Sequence, residues 1–150
     1  MKVSDILRVK GKALFTCRPE EALCGAVQTM AENDLGSVVV MDRGTLAGML
    51  TFREVIEALH RGGGSLGERR VDEVMRPVNL TISPDTDVME LRRVMIDTHV
   101  RYVPVVREGV LEGVLSLYDV AKAVLEEQSF ENRMLKAYIR DWPEPEPVRG

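Results

Sequence analysis

The stretch GMLTFRE, Gly48 to Glu54, decides how the chain is read, because GVLSLYD, Gly113 to Asp119, repeats its pattern 65 residues later. Each has a glycine, two apolar residues, a hydroxyl residue, and an acid three positions past the hydroxyl. Sliding the chain against itself by those 65 residues also matches Thr16 with Thr81, Pro19 with Pro84, Met30 with Met95, Gly44 with Gly109 and Val55 with Val120. No gap is needed from Thr16 to Leu59 and about a quarter of the positions are identical, which marks a tandem duplication.

Both copies follow one order of elements. A short apolar stretch, ALFT or VNLTIS, runs into a proline and acids that end a strand and start a helix. Leu23, Ala26, Val27 and Met30 recur at helical spacing in the first copy, and Val88, Leu91, Val94 and Met95 in the second. Two strand-like runs follow about the turns DRGT and REGV, predicting a hairpin in each copy, and a second helix closes the unit. The expected fold is a mixed α+β unit of two β-α-β-β-α repeats: residues 1–62, a Gly-rich flexible linker at 63–70, residues 71–126, and a C-terminal helix with a Pro-rich tail at 127–150. Each repeat is introduced by a related element, VSDIL and VDEVM, that reads as a single helical turn.

Composition narrows the function. With 45% hydrophobic and 29% charged residues the chain reads as a globular protein, and no apolar run nears the roughly 20 residues a bilayer requires. The N-terminus alternates charge and apolar residues too quickly for a signal peptide, so a cytoplasmic location and no membrane partner are expected. A net charge of -4 argues against nucleic acid as a partner, because duplex binding rests on Lys and Arg neutralising phosphates. Cys17 and Cys24 read as two reduced thiols, and no metal-ligand spacing accompanies them or His60 and His99. Asp85 and Asp87 look like helix-start acids, and no hydrolytic or redox motif emerges, so the chain is not expected to be an enzyme.

At the repeated motif a strand gives way to a helix, whose free backbone N–H groups attract anions. Thr51 with Glu54 and Ser116 with Asp119 have the spacing of a capping box, which alone would account for a hydroxyl and an acid three apart. The same arrangement can also receive a nucleoside: the carboxylate accepts from a ribose diol, the helix N-terminus faces phosphate, and glycine permits close approach. Asp119 suits the diol better than Glu54, whose extra methylene favours folding back onto its own helix start, so the second copy is the better site.

The duplicated order of elements and the two Gly-x-x-Thr/Ser-x-x-Asp/Glu motifs resemble the cystathionine-β-synthase (CBS) domain pair, or Bateman module, over roughly Val3 to Leu125. The resemblance implies halves packed about a pseudo-twofold axis with two related clefts, and a pair that dimerises. It implies adenosine-containing ligands, chiefly AMP, ADP or ATP, and in some members NAD species or S-adenosylmethionine, with no cofactor required. Gly113, Ser116 and Asp119 match the ribose-contacting motif, as do Thr51 and Glu54 in the other half, where Glu departs from the usual Asp. The resemblance further implies that Thr81, Ile82 and Pro84, with Thr16 in the first half, approach the base, and that Tyr102, Val103 and Pro104, or Ser37 and Val38, wall it. The resemblance places Arg101 where a basic side chain often meets phosphate, with an ordinary surface ion pair as the other reading, and Gly36 takes the equivalent place in the first half. Arg53, inside the first motif, is a further cation with the same two readings, phosphate contact or surface ion pair.

Beyond the second repeat, Phe130, Met134, Leu135, Tyr138, Ile139 and Trp142 fall on one side of a helix that Pro143, Pro145 and Pro147 end. That stripe predicts packing on the protein's own body or on a homodimer mate, or docking of a client enzyme or transporter. The leading expectation is a regulatory adenine-nucleotide sensor that passes its state to a partner. The rival is a structural or interaction module that binds no ligand and works through dimerisation and the C-terminal helix.

Overall fold

The structure is a computed structural model and describes residues 1–11 and 14–141. The first repeat contains β1 (Thr16–Cys17), α2 (Leu23–Glu32), β2 (Ser37–Asp42), β3 (Thr45–Thr51) and α3 (Phe52–Arg61), preceded by α1 (Val3–Lys10). The second contains α4 (Val88–Thr98), β4 (Tyr102–Arg107), β5 (Val110–Ser116) and α5 (Leu117–Arg140), preceded by a 3-10 turn at Val71–Glu73. Both hairpins keep the same register, Ser37 opposite Thr51 and Tyr102 opposite Ser116, with a bulge at the same place. Their two-residue turns, Arg43-Gly44 and Glu108-Gly109, have positive φ at both positions, the type I′ geometry that matches strand twist.

The first strand is shorter than its apolar run suggests. In the first repeat it is two residues paired parallel to Val39 and Val40. In the second it shrinks to one bridge, where the Ile82 N–H donates to Pro104 O at 3.0 Å and the Val106 N–H donates to Ile82 O at 2.9 Å. Pro84, two residues on, has no N–H with which to extend the ladder.

Two apolar cores form, one per repeat, and each is completed by the element that introduces the other. Val3 and Ile6 of α1 are buried with Val88, Leu91, Met95, Val103, Val105, Leu115 and Val120 of the second repeat. Val71 is buried with Leu23, Ala26, Met30, Val38, Val40 and Leu50 of the first. The backbone seals the exchange symmetrically: Val3 N–H donates to Thr86 O and Ser4 N–H to Pro84 O, while Val71 N–H donates to Glu21 O and Asp72 N–H to Pro19 O, all at 2.9 Å. The repeats are therefore cross-braced, and α1 belongs in space to the second half.

Three expectations need correction. The introduction to the first repeat is an eight-residue helix, longer than a single turn. The Gly-rich linker is tied down at its end: Arg69 Nη1 donates to Ala58 O at 2.7 Å, Leu66 packs on the first core, and Arg70 bridges Ala22. The C-terminal helix is not a separate element, because α5 runs unbroken for 24 residues, about 36 Å, from the motif to Arg140. Trp142 and the three prolines lie outside the described residues.

Candidate functional site

Both motifs are capping boxes in fact. Thr51 Oγ1 accepts from the Arg53 N–H at 3.3 Å, and Glu54 Oε1 accepts from the Thr51 N–H at 3.1 Å and its hydroxyl at 2.9 Å. Ser116 Oγ accepts from the Asp119 N–H at 3.0 Å, and Asp119 Oδ2 accepts from the Ser116 N–H at 2.9 Å. The acids then diverge. Both fold back onto their caps, but Glu54 is 4% exposed, with Oε2 buried and without a donor among the described residues. Asp119 is partly buried at its helix start, where the Lys10 ammonium reaches it at 2.8 Å from α1. Partial burial pushes the Asp119 carboxyl upward, but Lys10 and the Ser116 donors outweigh it and hold the group below the usual carboxylate range.

Two clefts lie between the repeats, and each joins the motif of one repeat to the segment that introduces the other. The first, about 560 Å³, is lined by Leu7, Lys10, Gly11, Leu14 and Phe15 from the chain around α1, by Asp34, Leu35, Gly36, Ser37 and Val39, and by Glu112, Gly113, Val114, Ser116, Leu117 and Tyr118. The second, about 750 Å³, is lined by Met49, Thr51, Phe52, Arg53 and Ile56, by Arg76 to Leu80, and by His99, Val100 and Pro104. Arg101 and Tyr102 line both. Tyr102 reaches across to the first repeat, where a Cβ on Gly36 would overlap its hydroxyl. The glycine at that position thus makes room for the tyrosine.

The structure brings Ser37, Arg101, Tyr102, Gly113 and Ser116 together in the first cleft, with Asp119 one hydrogen bond behind Lys10 and Ser116. It brings Thr51, Arg53, Arg101, Tyr102 and Pro104 together in the second, where Arg53 also pairs with Glu57 at 3.3 Å. The remaining candidates line neither cleft. Val38 and Val103 point into the two cores, and Glu54 is buried. Thr16, Thr81, Ile82 and Pro84 sit past the cleft walls, because the chain passes the clefts before it reaches its first strands, at Leu14-Phe15 and at Arg76 to Leu80. His99, for which the sequence shows no metal-ligand spacing, lines the second cleft.

Lys10, Leu7 and Tyr118 were missed. Lys10 Nζ also donates to Val114 O at 2.7 Å. The corresponding carbonyl of the first repeat, Met49 O, accepts instead from the Arg76 backbone N–H at 2.8 Å. A side chain therefore does for β5 what the main chain does for β3, which no sequence offset could reveal.

The family model for the CBS domain matches residues 3–61 and 71–126. A mitochondrial CBS domain-containing protein of Arabidopsis thaliana, CBSX3, is 30% identical over 147 residues, covering 92% of this chain and 71% of its own. The crystal structure of a CBS-domain protein from Agrobacterium tumefaciens is 30% identical and superposes with a TM-score of 0.76 over 82% of this chain and 98% of that one. Two less similar structures share the fold. CBSX2 in complex with AMP is 23% identical with a TM-score of 0.69, covering 85% of this chain and 98% of that one. The CBS pair of MJ0100, in complex with 5′-methylthioadenosine and S-adenosyl-L-methionine, is 20% identical with a TM-score of 0.74 and the same coverage.

Proposed function

The chain belongs to the CBS-domain family, and from that premise we propose that it is a regulatory module, not an enzyme, that binds an adenine nucleotide in the cleft beside Ser116 and Asp119. One observation carries the reading: an ionised carboxylate at the N-terminus of α5 lies directly behind Lys10 and Ser116, which line a 560 Å³ cleft whose walls come from both repeats. A cleft of that size suits a small ligand, and its make-up of apolar surface with a few placed polar groups is what such a ligand needs. The Asp119 carboxylate would take the ribose diol, Tyr102 and Leu35 would flank the base, and Arg101 would meet phosphate. The relatives solved with AMP and with adenosyl compounds support that ligand class. Because each cleft joins the introduction of one repeat to the motif of the other, a ligand there would bias the packing of the halves by its differential affinity for their arrangements.

Thermal unfolding of the full chain against AMP, ADP, ATP, NADH and S-adenosylmethionine tests this. A ligand that binds only the folded protein adds about 2.7 kcal/mol of apparent stability at a hundredfold excess over its Kd. The reading requires a rise with an adenine nucleotide that Asp119→Ala removes. No rise with any of them would leave the motifs as helix caps.

A second reading, a module that works by contact with protein, is favoured by α5. Phe130, Met134, Leu135 and Ile139 are 56–63% exposed on the part of the helix that projects past the second core, and Ile56 and Leu125 are exposed on α3 and α5. We assign this surface to a homodimer mate. Sedimentation of the full chain and of a chain lacking residues 130–150 checks it: a dimer that survives the deletion would remove that assignment.

A further inference from the structure

Lys10 does more in the first cleft than cap a strand edge. Its ammonium spans two acceptors, Asp119 Oδ2 at 2.8 Å and Val114 O at 2.7 Å, and it is part of the cleft wall. Asp119 Oδ2 also accepts from the Ser116 N–H at 2.9 Å, so this oxygen already holds two donors. Oδ1 accepts from none of the described residues. A ribose diol that engages both carboxylate oxygens therefore has to displace one donor from Oδ2. The Ser116 N–H is fixed by the helix cap and cannot leave. Lys10 can leave, because it sits at the last residue of α1 on a flexible four-carbon stem and its side chain is 40% exposed.

We propose that Lys10 is the specificity-determining residue of this cleft: it yields Asp119 to the ribose diol and re-pairs with the ligand's 5′-phosphate, so the cleft selects phosphorylated adenosine over adenosyl compounds that lack an anion there. The inference rests on the nucleotide reading above. A 5′-phosphate returns to the ammonium the charge partner it gives up. A thioether at the 5′ position offers nothing, and leaves the ammonium displaced from a carboxylate that a neutral diol compensates only in part. A sulfonium at that position adds a like charge, which destabilises further. Arg101, the other cation of this cleft, is shared with the second cleft and has no such acid to surrender among the described residues.

Titration calorimetry of the full chain with AMP and with 5′-methylthioadenosine separates these effects. The wild type should bind AMP tighter than 5′-methylthioadenosine by about tenfold or more, the scale of one charge-assisted hydrogen bond. Lys10→Met should move the two affinities in opposite directions, weakening AMP and strengthening 5′-methylthioadenosine, because it removes the phosphate partner and frees Asp119 at once. Lys10→Arg, which keeps the charge, should retain the preference for AMP and so shows that the helix end tolerates substitution. If Lys10→Met keeps the wild-type ratio of the two affinities, Lys10 does not set specificity, although the cleft still binds nucleotide. If neither compound binds the wild type, the nucleotide reading falls and the role of Lys10 falls with it.

Discussion

Truncating Ile6 to alanine should unfold the second repeat first, although Ile6 lies in the segment that introduces the first. The side chain is 7% exposed and packs in the core that holds Val88, Leu91, Met95 and Leu115. The substitution removes three buried carbons at about 0.8 kcal/mol each, and the unfilled space adds a cavity cost that brings the total to about 3 kcal/mol. For a domain of this length that corresponds to a fall in Tm of about 6–12 °C. Native-state hydrogen exchange locates the loss: amides of α4, β4 and β5 should lose protection before those of α2, β2 and β3. Val71→Ala, the counterpart that is buried in the first core, should reverse that order. If Ile6→Ala lowers protection in β2 and β3 first, the cross-bracing of the repeats is wrong.

Equivalent glycines should respond unequally to alanine. At Gly48 a Cβ would lie 2.7 Å from the Arg76 carbonyl oxygen, a backbone atom held by the Met49 N–H, so Gly48→Ala should cost about 1–3 kcal/mol in chemical denaturation. At Gly113 the nearest atom is Leu7 Cδ2 at 2.8 Å, the end of a flexible side chain, and Gly113→Ala should cost clearly less. The Asp119 carboxyl is held below its unfolded value, so its contribution to stability is present above about pH 3.9 and is lost as pH falls through the folded value. Asp119→Asn should therefore cost about 1 kcal/mol or less at pH 7, because Lys10 is partly exposed, and the gap to wild type should close on acidification below pH 4. A gap that does not narrow at all as pH falls below about 4 would refute the ion-pair account. With alkylating reagent at pH 8, Cys24, which is exposed, should react in the native protein, whereas Cys17, buried with its thiol pushed up to about 11, should react only on unfolding. Mass spectrometry of the labelled chain reads the difference.

Much of this architecture was legible in the sequence because it depends on local chemistry. Arg43-Gly44 and Glu108-Gly109 announce hairpins, Leu23, Ala26 and Met30 announce a buried helix face, and Thr51 and Ser116 announce helix starts. The capping boxes were legible as well, but Glu54 and Asp119 both fold back onto their caps, and what separates them is burial and the Lys10 partner of Asp119. What stayed hidden depends on which apolar face meets which. Val3 and Ile6 show that α1 has something to bury, but only the hydrogen bonds to Thr86 and Pro84 show that it buries it in the other repeat. The exchange moves the cleft walls from Thr16 and Thr81 back to Leu14-Phe15 and to Arg76 through Leu80, and it places Lys10 on Asp119, 109 residues away. Tyr102 likewise serves both clefts because it crosses to Gly36, a contact that no periodicity encodes.

The central claim is that the cleft between the repeats holds an adenine nucleotide by its ribose on Asp119, and a crystal structure of the full chain with AMP tests it most directly. The account predicts the two ribose hydroxyls within hydrogen-bond distance of the Asp119 carboxylate, with Lys10 turned from that carboxylate to the phosphate. AMP bound with its ribose away from Asp119, or no nucleotide in that cleft at saturating concentration, would contradict it.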